Sequence, residues 1–468
     1  MTIEDSIYDT EGLWKIASSK KMISYSFGFI LSLYLMTAFN SLVFYFYEVE
    51  VGLRVELVSL AIICYSIITI IISPFLGYLT DRNFKFSKKW GFRTPFIIIS
   101  AIPALFFYLF LYIPPDTNVQ SNPYPVFWYL LIMSSLFGIC ISLFMAHFEG
   151  SFTSQFRDDY ERRRASAYAF IFPGVILFFM ALLPLFLIVY GDKSSFALTA
   201  LISVIILGIC LLILIPGIRE SEEVKMRFIQ GFEKNLSFSK MVKISFKQKN
   251  YRVNLISSTL MAISGTLSVA SGIYFYKDVL RLPLFFSIYA TIIYFIFVLL
   301  FVPFWSSYSR KHGIVKTYII GIFLTSILYL PYLWMTTLEE TIILAFFRGI
   351  AGSCVMVMSM PIVSDGYDEV TLACERHQEA SLRSIRTLFL RSSVIFQALI
   401  IGLIHIYLGY DAKPDAIQTP SAILGIRIHA GLIPAILCFF AGVMMVFWYD
   451  LKKDNRIIMQ RKLRDKGL

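Results

Sequence analysis

The sequence predicts an all-α integral membrane protein with twelve transmembrane helices in two pseudo-symmetric six-helix bundles. Composition is the first reason: of 468 residues, 57% are hydrophobic and only 16% charged, and the mean hydropathy is +0.70. A water-soluble domain is about 45–50% apolar and about 25% charged, so this chain carries more apolar surface than one core can hide. Layout is the second: the apolar residues fall in separate runs of about 20 residues or more, enough for a helix to cross about 30 Å of hydrocarbon. A β-barrel would show shorter, alternating segments. The third is the placement of positive charge, which collects between alternate pairs of runs.

The runs lie near 22–47, 54–80, 94–114, 124–148, 166–190, 195–216, 251–276, 284–308, 315–336, 341–363, 383–409 and 425–449. The first follows a mixed-charge segment, is longer than a signal-peptide core and lacks a small-residue cleavage site, so it reads as a retained span. Spans two and three are joined by a basic turn (Arg82 to Arg93), and spans four and five by Arg157 to Arg164. Spans six and seven are joined by the longest polar stretch, Arg219 to Arg252, with nine basic residues. With both termini on the side of these turns, that side holds 35 of the 42 Lys and Arg residues. The other side holds Arg54, Lys193, Lys277, Arg281, Lys413 and Arg427, and Arg348 sits within a span. The positive-inside rule therefore predicts a multi-pass protein of the cell membrane with both termini cytoplasmic.

That bias also accounts for the net charge of +11 without a nucleic-acid partner. The six cysteines show no paired spacing, and five lie in apolar runs, which speaks against a disulfide framework or a metal site. The long polar stretch divides the chain into an amino-terminal six-helix bundle (1–216), a cytoplasmic linker (217–250), a carboxy-terminal six-helix bundle (251–450) and a basic cytoplasmic tail (451–468). The halves echo each other. Pro74-Phe75 with Arg82 after span two recurs as Pro303-Phe304 with Lys311 after span eight, and Asp158-Asp159-Tyr160-Glu161 after span four parallels Asp365, Tyr367, Asp368 and Glu369 after span ten. A six-plus-six duplication is the arrangement of transporters that rock two halves about a midplane site.

Three segments carry a family resemblance. Gly77-Tyr78-Leu79-Thr80-Asp81-Arg82 followed by Gly91-Phe92-Arg93-Thr94-Pro95-Phe96-Ile97 resembles the helix-two to helix-three pattern of the major facilitator superfamily. Asp158-Asp159-Tyr160-Glu161-Arg162-Arg163 is similar to the D-D-Y-R-E-R loop of its glycoside-pentoside-hexuronide:cation symporters, the melibiose-permease-like family. Asp365-Gly366-Tyr367-Asp368 through Thr387-Leu388-Phe389-Leu390-Arg391 resembles that family's D-x-x-D … A-L-F-L-K segment. The resemblance covers the whole chain and implies the major facilitator fold and secondary transport of a sugar or glycoside with Na⁺ or H⁺ as coupling ion, and no cofactor. It also implies acidic residues in helices one, two and four. Here Leu33, then Thr69, Ile72 and Ser73, then Ala146 stand at those positions, and Phe170 replaces an arginine of helix five, while the basic residue of helix eleven survives as Arg391. Loss of the fixed carboxylates puts cation coupling in question.

The residues themselves suggest roles. Asp81, Arg82, Arg93, Asp158, Asp365 and Asp368 sit where carboxylates and cations could tie neighbouring helix ends together in one state and release them in the other, a gating role. Arg391 and Arg348 lie roughly 10–12 Å into their spans, and intramembrane charges are costly and tend to be functional, so both are candidate substrate ligands. Tyr34, Thr37, Asn40 and Ser41 on span one, and Ser264 and Ser268 within the serine stripe of span seven, offer hydroxyl and amide hydrogen bonds, although small polar residues also serve helix packing. His147 and Glu149 are a candidate proton site, and Glu48, Glu50, His405 and His429 read as interfacial residues at the outer ends of spans. No HExxH, GxSxG, GxGxxG or Walker sequence is present, which speaks against an enzyme. The leading expectation is a monomeric secondary transporter of a small-molecule substrate in the lipid bilayer. A carrier of an amphipathic anion such as a lysolipid, or a transport-inactive receptor, stands as the alternative.

Overall fold

The computed structural model describes residues 17–80, 91–156, 159–221, 238–375 and 379–465, and apart from short connections they are helical. Among them, ten helices are long and apolar enough to cross a membrane, and two shorter apolar helices, Thr94–Phe110 and Phe172–Leu187, fall on spans three and five of the sequence reading. The protein is thus an all-α, multi-pass membrane protein.

The first helix, α1 (Ser19–Ala38), is started by Ser18, whose hydroxyl accepts the Lys21 amide, and it continues through π-helical turns at Phe39–Val43 and Phe46–Glu50. It is followed by α2 (Val55–Thr80), α3 (Thr94–Phe110), α4 (Tyr124–Gln155), α5 (Asp159–Leu187) and α6 (Lys193–Ile218). Asp192 caps α6 by accepting the Ser194 hydroxyl and the Ser194 amide, and these two bonds hold its carboxyl below the usual carboxylate range. The second half runs α7 (Phe238–Ser245), α8 (Lys249–Tyr274) with a π-helical turn at Phe275–Val279, α9 (Ser287–His312), α10 (Ile314–Ile327) and α11 (Leu338–Cys374). It closes with α12 (Glu379–Leu408), α13 (Pro420–Arg427), a π-helical turn at Ile428–Leu432, α14 (Ile433–Trp448) and α15 (Lys453–Asp465). Thr337 and Glu340 form a capping box at the start of α11. Gly313, at φ +90°, makes the turn between α9 and α10 that an L side chain would resist.

Helix extends beyond the apolar stretches in two places. Asp365, Tyr367, Asp368 and Glu369, expected after span ten, lie within α11, because nothing in that segment stops a helix until Glu375 takes a left-handed conformation. The polar linker likewise contains α7, whose Met241 packs with Tyr251, Leu255, Val370, Leu382 and Ile385.

The chain forms two units: Met1–Phe39 with Cys64–Glu233, and Asn40–Ile63 with Lys234–Leu468. In the first, α1 packs on α5 and α6, and α3 on α4 and α6. Its centre is aromatic: Tyr25 stacks on Phe148 at 4.7 Å between ring centroids, Phe144 stacks on Phe148 in turn, and the Tyr25 hydroxyl bonds the Phe148 carbonyl and Ser151. In the second, α9 packs on α11, and α8 on α14 and α12, around Trp305, Tyr318, Ile322, Cys354, Met358, Met445 and Tyr449. Large apolar side chains such as Leu212, Leu299, Leu300 and Met360 stay exposed, as a lipid-facing surface requires.

Candidate functional site

Arg348 is the clearest ligand-like group. It lies one helical turn beyond Leu344 on α11, half-buried, with its guanidinium carbon 4.9 Å from the Tyr329 ring centroid and 5.6 Å from that of Tyr332. Its Nη1 donates to the Tyr332 hydroxyl at 2.6 Å and its Nη2 to Ser268 Oγ at 3.4 Å. Among the described residues no carboxylate pairs with it, so π faces and hydroxyls alone balance the charge. Two of the residues singled out in the sequence, Arg348 and Ser268, are thereby brought together.

The serine stripe divides by role. Ser257 donates to the Ala441 carbonyl and Ser264 to the Pro434 carbonyl, and Ser264 also accepts from Cys438, so both tie α8 to α14. Ser264, a candidate site residue, is buried at this contact. The stripe on span one also breaks up. Tyr34 is buried and bonds Ser203 at 2.7 Å, whereas Thr37 is exposed. Asn40 and Ser41 sit on the π-helical turn, where the extra residue rotates everything beyond it, and the Asn40 carbonyl accepts from Gln397.

Among the gating candidates, Asp81, Arg82 and Asp158 lie outside the described residues. The Arg93 amide, with that of Phe92, donates to the carboxylate of Glu220, which takes both bonds at 2.7 Å at the start of α3. The Arg93 guanidinium lies over Gly150 of α4. Asp365 is buried and ion-pairs at 2.7 Å with Arg456 of α15, a residue that the sequence offered only as part of the basic tail. Asp368 is half-buried on α11, beside Glu369, whose carboxylate accepts the Asn250 side chain and the Tyr251 amide at the start of α8. Arg456→Ala is expected to lower the melting temperature of the purified protein more than Asp365→Asn. The first leaves a buried carboxylate unpaired, and the second removes the charge that needed pairing. Equal shifts would mean that the carboxylate left unpaired by Arg456→Ala adds no cost beyond loss of the pair.

His147 is buried and stacks on Phe96 at 4.7 Å. Glu149 is two residues on along α4, and a helix does not turn i and i+2 toward each other, so α4 itself does not make the expected histidine–carboxylate pair. Arg391 is half-buried on α12.

A second polar centre is where the sequence reading fails most. Glu48, His405 and His429, expected at an interface, are all buried. Glu48 Oε1 is 2.7 Å from His405 Nδ1, and its Oε2 accepts the Tyr274 hydroxyl at 2.5 Å. His405 Nε2 is 3.3 Å from His429 Nε2, and His429 Nδ1 is 2.7 Å from Ser271 Oγ.

Comparison with known proteins decides the family. The profile described as MFS/sugar transport protein matches residues 24–453. The chain belongs to this major facilitator family of sugar transport proteins. As a member of that family it is a secondary transporter of a small solute, not an enzyme. No curated protein matches the chain. Among solved structures, a D-xylose-proton symporter aligns with a TM-score of 0.63 at 15% identity, covering 92% of this chain and 98% of that one. The nucleoside transporter NupG aligns at 0.58 and 16% identity, over 91% and 99%. A proton-dependent oligopeptide transporter aligns at 0.57 and 13%, over 96% and 100%. At these identities the likeness shows the major facilitator fold.

Proposed function

We propose that this transporter moves a sugar or glycoside across the cell membrane by alternating access, with its termini in the cytoplasm and 1–216 and 251–450 as the two moving bundles. The observation that carries the substrate class is Arg348 held between two tyrosine rings and a serine. A sugar presents C–H faces to rings and hydroxyls to a forked cationic donor, so an aromatic wall with one guanidinium suits it. Arg391, Tyr34, Thr37, Asn40 and Ser41 are proposed as further substrate contacts, and Asp81, Arg82, Arg93, Asp158, Asp365 and Asp368 as gate residues. The protein is proposed to work as a monomer.

The second reading, an amphipathic anion such as a lysolipid, is favoured by one feature: Arg348 has no carboxylate partner among the described residues. Counterflow in proteoliposomes separates the two. Purified protein is loaded with one of a panel of sugars or lysolipids, with Na⁺, H⁺ or no gradient. Exchange of at least one sugar and of no lysolipid is expected. Exchange of lysolipids alone would replace the first reading with the second.

A further inference from the structure

The centre around Glu48 is built from segments distant in sequence, and three of them depart from α-helix at that place. Glu48 lies on the π-helical turn Phe46–Glu50, His429 on the π-helical turn Ile428–Leu432, and Lys277 and Asp278 on the π-helical turn that follows Tyr274. Such turns are rare and concentrate at functional sites. Burying a carboxylate and two imidazoles in an apolar bundle is costly unless every polar atom is satisfied.

Counting protons shows two ways to satisfy the chain. In one, His405 carries protons on both nitrogens, giving one to Glu48 Oε1 and one to His429 Nε2. His429 then donates from Nδ1 to Ser271 Oγ, and the serine proton goes to the Leu267 carbonyl, 2.6 Å away. In the other, His405 keeps only its Nδ1 proton, still given to Glu48. The bond between the imidazoles reverses, with His429 donating from Nε2, and Ser271 turns its proton to His429 Nδ1. The two arrangements differ by one proton. The richer one holds Glu48 and an imidazolium with no net charge, and the poorer one carries a single negative charge.

We propose that Glu48, His405, His429 and Ser271 form a proton site, loaded and emptied one proton at a time by reversal of this hydrogen-bond chain, and that it couples transport to H⁺. The coupling half rests on the transporter reading above. Both Glu48 oxygens accept bonds from proton donors, the Tyr274 hydroxyl and His405. The charged and titratable surroundings are few. Tyr45 packs its ring on Tyr274, and Glu50 is buried on the same turn as Glu48. Tyr410 stacks on His405 at 4.2 Å and donates to Asp278, which pairs with Lys277 at 3.3 Å. Burial and the Asp278 carboxylate hold the Tyr410 hydroxyl well above the ordinary tyrosine range, so it stays protonated and contributes a ring, not a charge.

The test labels the five histidines of the full chain with ¹⁵N in lipid nanodiscs and follows them by NMR between about pH 5 and 8. His405→Asn and His429→Asn assign the two signals. The expected result is that His405 loses its Nε2 proton while His429 changes from the Nδ1–H to the Nε2–H tautomer, with one midpoint, and that Glu48→Gln removes this paired switch from the window. Signals that titrate separately, or a His429 tautomer that never changes, overturn the site whether or not the protein transports sugar. In proteoliposomes, one proton per sugar raises accumulation by up to about tenfold per pH unit of inward gradient. That response is expected to vanish in Glu48→Gln, read against uptake without a gradient in the same vesicles. A paired switch with sugar accumulation indifferent to the gradient overturns the coupling. A paired switch in a protein that exchanges no sugar keeps the proton site and fails the substrate reading.

Discussion

Arg348→Lys is expected to cut sugar exchange by about ten- to a hundredfold at limiting substrate. The substitution keeps the positive charge and removes the geometry. A guanidinium can donate to the Tyr332 hydroxyl and to Ser268 while its carbon sits over the Tyr329 ring, and an ammonium on a flexible stem cannot do all three. A hydrogen bond from a charged donor contributes about 1.5–3 kcal/mol, and about 1.4 kcal/mol is a factor of ten. Ser268→Ala, which removes only the longer bond, should cost a few-fold at most, and the order of the two effects is the informative quantity. Counterflow over a range of sugar concentrations distinguishes the cases: a binding role raises the half-saturating concentration in Arg348→Lys. Unchanged exchange in Arg348→Ala would remove this residue from the substrate site altogether.

The spans were legible because hydrocarbon thickness fixes run length and the positive-inside rule fixes order, and both depend on residues near one another in sequence. Arg348 was legible for a related reason, as a lone cation within an apolar run. The Glu48 centre was not, because its members come from residues 48, 271, 274, 405 and 429, and only packing reveals that they meet. A signal was nevertheless present. Glu48 interrupts the aromatic run Tyr45-Phe46-Tyr47, and His405 stands in Leu403-Ile404-His405-Ile406. Ionisable residues inside apolar runs warrant a functional reading even near a span end. The π-helical turns hid the geometry further, since periodicity arguments assume a regular helix and place Ser41 on the face of Tyr34. Arg456 was missed because a basic tail is adequately explained by topology alone, and nothing in the sequence points it at Asp365.

Gly217→Leu should be the most damaging single change in the amino-terminal unit. Gly217 lies in the last turn of α6, buried, and a Cβ placed there would collide with the backbone nitrogen of Tyr25 and the carbonyl carbon of Ser24 on α1. Backbone cannot swing away as a side chain can, so α1 and α6 must separate, and separation also strains the Ser24 hydroxyl's bond to the Ile213 carbonyl at 2.5 Å. Overpacking a close contact costs about 1–3 kcal/mol, and displacing two helix backbones belongs at or above the upper end. Gly208, on the same helix, has nothing within 4 Å of where its Cβ would be. Gly208→Ala should therefore leave the protein unchanged or stabilise it by up to about 1 kcal/mol through helix propensity. Melting of the two variants in detergent, followed by the loss of the monodisperse chromatographic peak, compares them directly. Gly217→Ala should already fall below wild type while Gly208→Ala does not, and Gly217→Leu should yield little folded protein. Indistinguishable melting of Gly217→Ala and Gly208→Ala would show that α1 and α6 do not approach at backbone contact.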